Sequence, residues 1–202
     1  MQVRPFSVSL WAFALWGAGF PVGAAGPDAT TMLVNTCVAC HGPGGSSQGP
    51  ATPHIAGLAP DTFIDAMKAY RDGSRPATVM DRIAKGYTEN EIELMADYFY
   101  RQNPVRLAQP TESDKAKAGE ALHKQHCQKC HADNGRKDED GTGILAGQWL
   151  PYLLYSIEDF LAGGRQAPKK MAAEMKRIRD ADPEGLEKLM HFYASQKQGP
   201  GR

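Results

Sequence analysis

Residues 122 to 135 read LHKQHCQKCHADNG, and residues 35 to 45 read NTCVACHGPGG. Each stretch holds two cysteines three positions apart, and a histidine follows the second cysteine at once. The two motifs contain all four cysteines of the chain: Cys37, Cys40, Cys127 and Cys130. Four cysteines in an exported protein normally suggest two disulfides. The histidine directly after each pair, His41 or His131, argues against that interpretation.

The pattern C-x-x-C-H is typical of covalent haem attachment. The two thiols bond to the vinyl groups on one edge of the porphyrin, and the histidine ligates the iron. A lone CxxC could be a redox dithiol and two could form a zinc site, but neither needs this histidine. The sequence therefore predicts two covalently bound haem c groups, the first on Cys37, Cys40 and His41 and the second on Cys127, Cys130 and His131.

The motifs belong to a longer internal repeat. A shift of 90 residues superimposes the two motifs, an Ala-Gly pair that follows each, and Arg75 on Arg165. Further on, the segment MDRIAKGYTENEIELMADYF lies over MKRIRDADPEGLEKLMHFYA without a gap at a shift of 95, which pairs Met80 with Met175. Two homologous halves of roughly 80 to 90 residues are the simplest explanation.

Apolar residues recur at helical spacing in both halves, and no segment shows the alternation of a strand. We expect an all-α protein of two tandem domains, residues 26–105 and 116–202, joined by a polar linker over residues 106–115 that contains Pro110. Ser113 is the predicted cap of the next helix. Because domains this small are marginally stable without a staple, a large apolar group should fill each core.

Residues 1–25, MQVRPFSVSLWAFALWGAGFPVGAA, have the layout of a secretory signal peptide, with cleavage expected near Ala24 or Ala25. The apolar run from Val8 to Phe20 is shorter than the roughly 20 residues that span a bilayer. We therefore expect a periplasmic protein with no membrane span in the mature chain. Basic and acidic residues are equal in number, 23 each, and this balance gives no footprint for nucleic acid.

A methionine is the expected second axial ligand of each iron, because Met raises the reduction potential and suits electron transfer. In the first half, Met80 lies 39 residues after His41. In the second half, Met171 lies 40 residues after His131 and keeps this spacing, whereas Met175 is the gapless partner of Met80. The spacing favours Met80 and Met171, with Met175 as the alternative.

Ligation by a second histidine is the rival interpretation, and the available side chains are His54, His123, His126 and His191. We also expect the carbonyl of Pro50 to accept a hydrogen bond from His41 and so to orient the ring. Several residues could line a haem or contact its propionates, although core or surface roles explain them equally well: Arg75, Trp149, Tyr152, Tyr155 and Arg165.

Five stretches carry a resemblance to a known family: MLVNTCVACHG, RIAKGY, ILAGQWLPYLLYSIEDF, KKMAAEM and FYASQ. Together they resemble the dihaem cytochrome subunits of flavocytochrome c sulfide dehydrogenases, within the wider cytochrome c4-like group. The resemblance implies two class I cytochrome c domains, each with one His/Met haem, and the methionine of KKM, Met171, as the second axial methionine.

The same resemblance implies a partner and a role. The chain would not be an enzyme on its own, but would accept electrons from a separate FAD-containing subunit that oxidises sulfide. Electrons would then leave to a small soluble acceptor such as a cytochrome c. The sequence has no G-x-G-x-x-G fingerprint, so we expect FAD only on the partner. The alternatives are a freestanding cytochrome c4-like carrier to a terminal oxidase and a haem peroxidase or sulfur-compound oxidase with an open iron site.

Overall fold

The structure is a computed structural model that describes residues 28–197. Within that range the chain is helical and has no strand, which confirms the predicted all-α fold. The helices are α1 (Ala29–His41), α2 (Pro60–Asp72), α3 (Met80–Ile83), α4 (Glu89–Tyr100), α5 (Ser113–Leu122), α6 (Ala132–Gly135), α7 (Leu150–Leu161), α8 (Lys169–Ala181) and α9 (Gly185–Ser195). The predicted signal peptide lies outside the described residues. None of the helices in residues 28–197 is long and apolar enough to cross a bilayer.

Local sequence explains where several helices begin and end. Thr88 and Glu91 form a reciprocal capping box at the start of α4, so both residues satisfy backbone N–H groups of the first turn. Gly73 ends α2 in the left-handed conformation, which glycine adopts without a steric penalty. One predicted cap is wrong: Glu112 precedes α5 and Ser113 is already its first residue.

Each half buries an apolar core of its own. In the first half, α1 and α2 pack against α4, and the buried residues are Val34, Ile55, Phe63, Met67, Ala84, Ile92, Met95, Ala96 and Phe99. In the second half, α5, α7 and α8 pack against α9, and the buried residues are Leu153, Met175, Ile178, Leu186, Leu189, Met190, Phe192, Tyr193 and Ala194. Two separate cores agree with two domains; the exact boundaries at residues 105 and 116 stay a prediction.

The backbone of the first half closes on itself through one glycine. The N–H groups of Ile55 and Ala56 both donate to the carbonyl of Gly45, at 2.8 and 3.1 Å. Directly afterwards, the N–H of Gly57 donates to the carbonyl of Phe99 at 2.8 Å. These three bonds join the end of the motif, the following loop and helix α4.

The second half repeats this arrangement. The N–H groups of Leu145 and Ala146 donate to the carbonyl of Gly135, at 2.8 and 3.0 Å, and the N–H of Gly147 donates to Tyr193 at 2.8 Å. Each of the first three residues lies 90 positions after its counterpart. The hydrogen bonds therefore support the internal duplication that the sequence predicts.

The structure corrects the register of the last helices. Because the repeated bond ends at Phe99 in one half and Tyr193 in the other, α4 and α9 are related by a shift of 94 residues and not 95. This shift places buried positions on buried positions: Ile92, Met95 and Ala96 on Leu186, Leu189 and Met190. Under it Met80 coincides with Glu174, so the gapless match no longer supports Met175 as an axial ligand.

Polar contacts join the two halves. The side chain of Gln148 accepts a bond from the His54 N–H at 2.9 Å and donates to the His54 carbonyl at 2.8 Å. The carboxylate of Asp138 accepts from the N–H of Ala59 and the hydroxyl of Thr62, at 2.9 and 2.8 Å. Asp138 therefore places a negative charge at the start of α2, where the helix dipole favours it.

Replacement of Gly119 by alanine should destabilise the second half. A Cβ at this position of α5 would lie 2.1 Å from the carbonyl oxygen of Lys188 in α9. Helix propensity alone favours alanine by about 1 kcal/mol, but overpacking typically costs about 1–3 kcal/mol. Because a backbone carbonyl at 2.1 Å cannot move aside as a flexible side chain can, the overpacking cost should lie at the upper end of this range. We expect the free energy of unfolding to fall by about 2 kcal/mol in a urea titration.

Gly86→Ala is the matched control. No atom lies within 4 Å of the added Cβ at Gly86, so its stability should stay within about 0.5 kcal/mol of the original chain. A Gly119→Ala protein as stable as this control would show that α5 and α9 do not approach so closely.

Candidate haem sites

The first motif forms the end of α1. Cys37 is half-buried and packs against the first core, Cys40 is exposed, and His41 is buried. Neither thiol is in a disulfide. One helical turn therefore presents two available sulfur atoms and an imidazole at the boundary between the core and the solvent.

The ring of His41 is held from one side. Its Nδ1 donates to the carbonyl of Pro53 at 2.9 Å, so the predicted partner, Pro50, is wrong by three residues. Since a carbonyl can only accept, this bond fixes the proton on Nδ1 and leaves the lone pair of Nε2 free for a metal. Burial lowers the pKa of His41 below its ordinary value, which favours the neutral, ligating form.

A π-helical turn, His123–Cys127, continues α5, and the second motif begins at the last residue of this turn, Cys127. Cys127 is half-buried against the second core and Cys130 is exposed, as in the first half, and again neither forms a disulfide. His131 is partly buried, and its Nδ1 is buried without a hydrogen-bond partner. A shift of 90 residues places Gly143 where the first half has Pro53, and the Gly143 N–H donates to Asp138 at 2.8 Å. The two halves thus orient their histidines differently.

The thiols lack the character of a redox dithiol. A reactive dithiol needs a thiolate of low pKa. Burial instead raises the pKa of Cys37, and it raises the pKa of Cys127 to about 11. The geometry therefore disfavours the redox interpretation at both motifs.

A shared zinc site is also disfavoured. Among residues 28–197, the group of side chains that could hold a metal ion is Glu112, Glu187 and His191, which includes no cysteine. The amine of Lys115 already bonds to both carboxylates, at 2.9 and 2.6 Å. This group is accordingly an ion-pair cluster that joins the start of α5 to α9.

The candidate axial methionines occupy comparable places in the two halves. Met80 is the first residue of α3, is partly buried and packs against the first core. Met171 lies in the first turn of α8, is partly buried and packs against the second core. Met175 is only 8% exposed and belongs to the second core itself. The packing therefore supports Met171 over Met175.

The rival histidines are engaged elsewhere. The Nδ1 atom of His123 bonds to the hydroxyl of Tyr193 at 3.0 Å, that of His126 contacts Glu174 at 2.8 Å, and that of His191 accepts from the Glu112 N–H at 3.0 Å. The fourth, His54, follows Pro53 directly. Its backbone N–H and carbonyl bond to Gln148, and its ring stacks on Trp149.

The matched arginines also keep their symmetry. The guanidinium of Arg75 stacks on Tyr70 at 4.7 Å, and that of Arg165 stacks on Phe160 at 4.3 Å. Arg75 also donates to the hydroxyl of Tyr152 in the other half at 3.4 Å. Cation–π contacts and this cross-half bond position both arginines, and their role at a propionate stays a prediction.

The aromatic residues predicted near the second haem have other surroundings. Trp149 donates from Nε1 to the carbonyl of Ser47 at 3.3 Å and stacks on His54, so it faces the first half. Tyr155 is 58% exposed. Trp149 therefore contacts the first half, and roles for Tyr152 and Tyr155 at the second haem stay predictions.

The residues that join the two halves carry no signal in the sequence. Asp138 and Gln148 contact positions 79 and 94 residues away, and no local pattern signals such contacts. Gln109, in the predicted linker, donates to the carbonyls of Gln148 and Ala194 and accepts from the N–H of Leu150. The linker is therefore packed against the second half along part of its length.

The residues present fit a covalently bound haem in each half. Each motif offers two unpaired thiols, one at the core boundary and one exposed, beside a histidine. A partly buried methionine, Met80 or Met171, packs against the same core as the motif of its half. This donor set, two thiols with one imidazole and one thioether, matches the attachment and axial ligation of a haem c.

Comparison with known proteins gives the same assignment. Residues 114–192 match the family model described as "Cytochrome C oxidase, cbb3-type, subunit III". Cytochrome c-554(548) of Halomonas halodenitrificans is 37% identical over 82 residues, which cover 39% of this chain and 94% of that protein.

Two further relatives match different shares of this chain. The thiosulfate dehydrogenase electron acceptor of Thiomonas intermedia is 27% identical over 172 residues, 80% of this chain and 77% of that protein. The cytochrome subunit of sulfide dehydrogenase of Chlorobaculum tepidum is 45% identical over 68 residues, but these cover only 34% of this chain and 61% of that subunit.

The fold matches a solved two-domain protein. The crystal structure of reduced recombinant cytochrome c4 from Pseudomonas stutzeri superposes with a TM-score of 0.71 and 24% identity, over 86% of this chain and all of that chain. These findings make the chain a non-catalytic electron-transfer protein. The chain therefore belongs to the c-type cytochromes, as a dihaem, cytochrome c4-like member with two cytochrome c domains.

Proposed function

We propose that this cytochrome accepts electrons from a flavoprotein that oxidises sulfide and passes them to a small soluble acceptor such as a cytochrome c. The observation that carries the proposal is the repeated site. In each motif a half-buried cysteine and an exposed cysteine precede a histidine that is buried or partly buried. Bound haem supplies a one-electron Fe(III)/Fe(II) couple. A porphyrin tethered at Cys40 or Cys130 would have an edge at the surface, where electrons can enter or leave.

The motifs and the packing support a role for each site residue. Cys37 with Cys40, and Cys127 with Cys130, would form the thioethers of the two haem groups. The free Nε2 of His41 and the ring of His131 would ligate iron from one side. On the other side the ligands would be Met80 and Met171, and their apolar surroundings would exclude water from the iron.

The two sites should differ in electron affinity. The Pro53 carbonyl accepts the proton of His41 Nδ1 at 2.9 Å, which makes the imidazole a stronger donor to iron. His131 has no such partner among the described residues. A stronger donor stabilises Fe(III), so the contact between His41 and Pro53 taken by itself would lower the potential of the first haem relative to that of the second.

The proposed partner carries the FAD, because this sequence has no dinucleotide fingerprint. The similarity to the cytochrome subunit of sulfide dehydrogenase of Chlorobaculum tepidum supports a sulfide-oxidising flavoprotein as the donor. The second candidate is a freestanding carrier, which the match to cytochrome c4 over both domains favours. In either case the leader-like residues 1–25 would direct the chain to the periplasm.

The chain should carry one haem on each motif. Expressed in a haem-competent host, the purified protein should contain two covalent haems per chain by mass spectrometry and pyridine haemochrome assay. The variants Cys37→Ala/Cys40→Ala and Cys127→Ala/Cys130→Ala should each contain one. A colourless protein, or an original chain with a single haem, would contradict the assignment.

Leucine at Met171 should change the second haem, whereas leucine at Met175 should not. Leucine conserves volume but cannot ligate iron. Met171→Leu should convert one haem from low-spin to high-spin in the absorption spectrum and lower its potential, since Met ligation raises it. Met80→Leu should do the same at the other haem.

Met175→Leu is the matched control, because Met175 lies on the same helix as Met171 but belongs to the buried second core. Low-spin spectra for Met171→Leu together with a high-spin haem in Met175→Leu would reverse the assignment.

Sulfide should reduce the haems only through the flavoprotein. Native protein isolated from its source should carry a flavoprotein with FAD, and added sulfide should develop the reduced-haem α band. The cytochrome alone, at the same concentration, should respond far more slowly. Isolation without a flavin, or reduction driven by a thiosulfate dehydrogenase and not by the sulfide enzyme, would favour one of the other donors.

A further inference from the structure

A buried guanidinium lies at the junction of the two halves without a counter-ion. Nη1 and Nη2 of Arg106 are both buried and have no hydrogen-bond partner among residues 28–197. The aliphatic part of the side chain lies over Gly147 in the second half, where an added Cβ would come within 2.9 Å of Arg106 Cγ. A buried charge without a partner is costly, and such groups are normally paired.

None of the described carboxylates fills this role. Burial alone lowers the pKa of Arg106, to about 10, and no acidic group of residues 28–197 opposes that effect. The exposed arginine Arg101 behaves differently, since it makes an ion pair with Asp97. The surroundings of Arg106 therefore lack one anion.

A second unpartnered polar atom lies nearby. His54 is 1% exposed, and its Nδ1 is buried without a partner although both of its backbone groups bond to Gln148. The charges of Arg106 and then of His41 add to burial in lowering the pKa of His54. The three side chains are thus electrostatic neighbours, and His54 has a neutral ring that can donate a hydrogen bond.

We propose that Arg106 and His54 bind a propionate of the haem held by the first motif, and that Arg106 thereby raises the reduction potential of that haem. The inference rests on the proposed attachment of a haem to His41. Propionates are the carboxylates that this cofactor brings to the protein. His54 directly follows Pro53, whose carbonyl bonds to the His41 ring at 2.9 Å, and this proximity points to the first haem. A guanidinium matches a carboxylate with two parallel hydrogen bonds.

The consequence for the potential follows from charge. Reduction adds an electron to the haem, so a nearby buried cation favours the reduced state, and a low local dielectric strengthens this effect. Arg106 also belongs to the predicted linker and packs on the second half. It would therefore connect the packing between the halves to the potential of the first haem.

The test compares three variants of the haem-loaded protein. Arg106→Gln should shift the oxidised-to-reduced ratio of the first haem at least tenfold, which corresponds to 59 mV for one electron, towards lower potential. Arg106→Lys keeps the charge and should retain more than half of the original potential difference. Arg101→Gln, the control, removes an exposed charge and should change the ratio less than twofold. Spectroelectrochemical titration measures all three, and the Cys127→Ala/Cys130→Ala background identifies the first haem.

A second measurement tests the proposal if the Arg106→Gln protein does not fold. In the original chain and Arg106→Lys, infrared difference spectra with ¹³C-labelled propionates should show carboxylate bands at different frequencies. Equal potentials in Arg106→Gln and Arg101→Gln would overturn the inference, and so would identical propionate bands in the original chain and Arg106→Lys. Both outcomes differ from failure of the proposed function, which would appear as absence of covalent haem in the original chain.

Discussion

One backbone carbonyl in each half holds the rest of the domain in place. Gly45 and Gly135 both lie four residues after the motif histidine, and each accepts two N–H groups from the returning loop. Both have positive φ, 81° and 79°. At Gly45 a Cβ would lie 2.9 Å from the ring of Phe99. Only glycine permits this approach, so the loop, the motif helix and the final helix meet at one point.

This closure explains how such small domains can build a site. The returning loop carries the carbonyl of Pro53 to the ring of His41, and the final helix completes the apolar wall behind the motif. The half-buried thiol of each motif then faces the core while the other faces the solvent. A bound porphyrin would complete a core that its protein residues alone leave small, which is consistent with the role of cofactors as staples in domains of this size.

Duplication has preserved the framework and changed the surroundings of the sites. The paired hydrogen bonds and the stacked arginines Arg75 and Arg165 are nearly the same in both halves. The contacts of the two motif histidines differ, because Pro53 has no equivalent carbonyl beside His131. Contacts between the halves add further asymmetry, since Asp138 and Trp149 of the second half both reach into the first. Two copies of one domain can in this way hold the same cofactor in unequal environments, which an electron carrier with a preferred direction requires.

The sequence by itself determined the features that depend on local chemistry. Cysteine and histidine spacing predicted the sites, and helical periodicity predicted an all-α fold. The match between the halves is correct up to Arg165 but is one residue out in the last helix. Apolar residues coincide there at a shift of either 94 or 95, and only the hydrogen bonds and the burial in the structure distinguish the two shifts.

Contacts between distant residues were decided by the tertiary structure alone. The partner of His41 is Pro53 and not Pro50 because the path of the loop, rather than sequence distance, brings a carbonyl to the ring. The burial of Met175 and the roles of Asp138, Gln148 and Arg106 likewise depend on how the two halves pack. The physical reason is that covalent spacing fixes chemistry within a turn of helix, whereas burial and pairing depend on surfaces that meet only after folding.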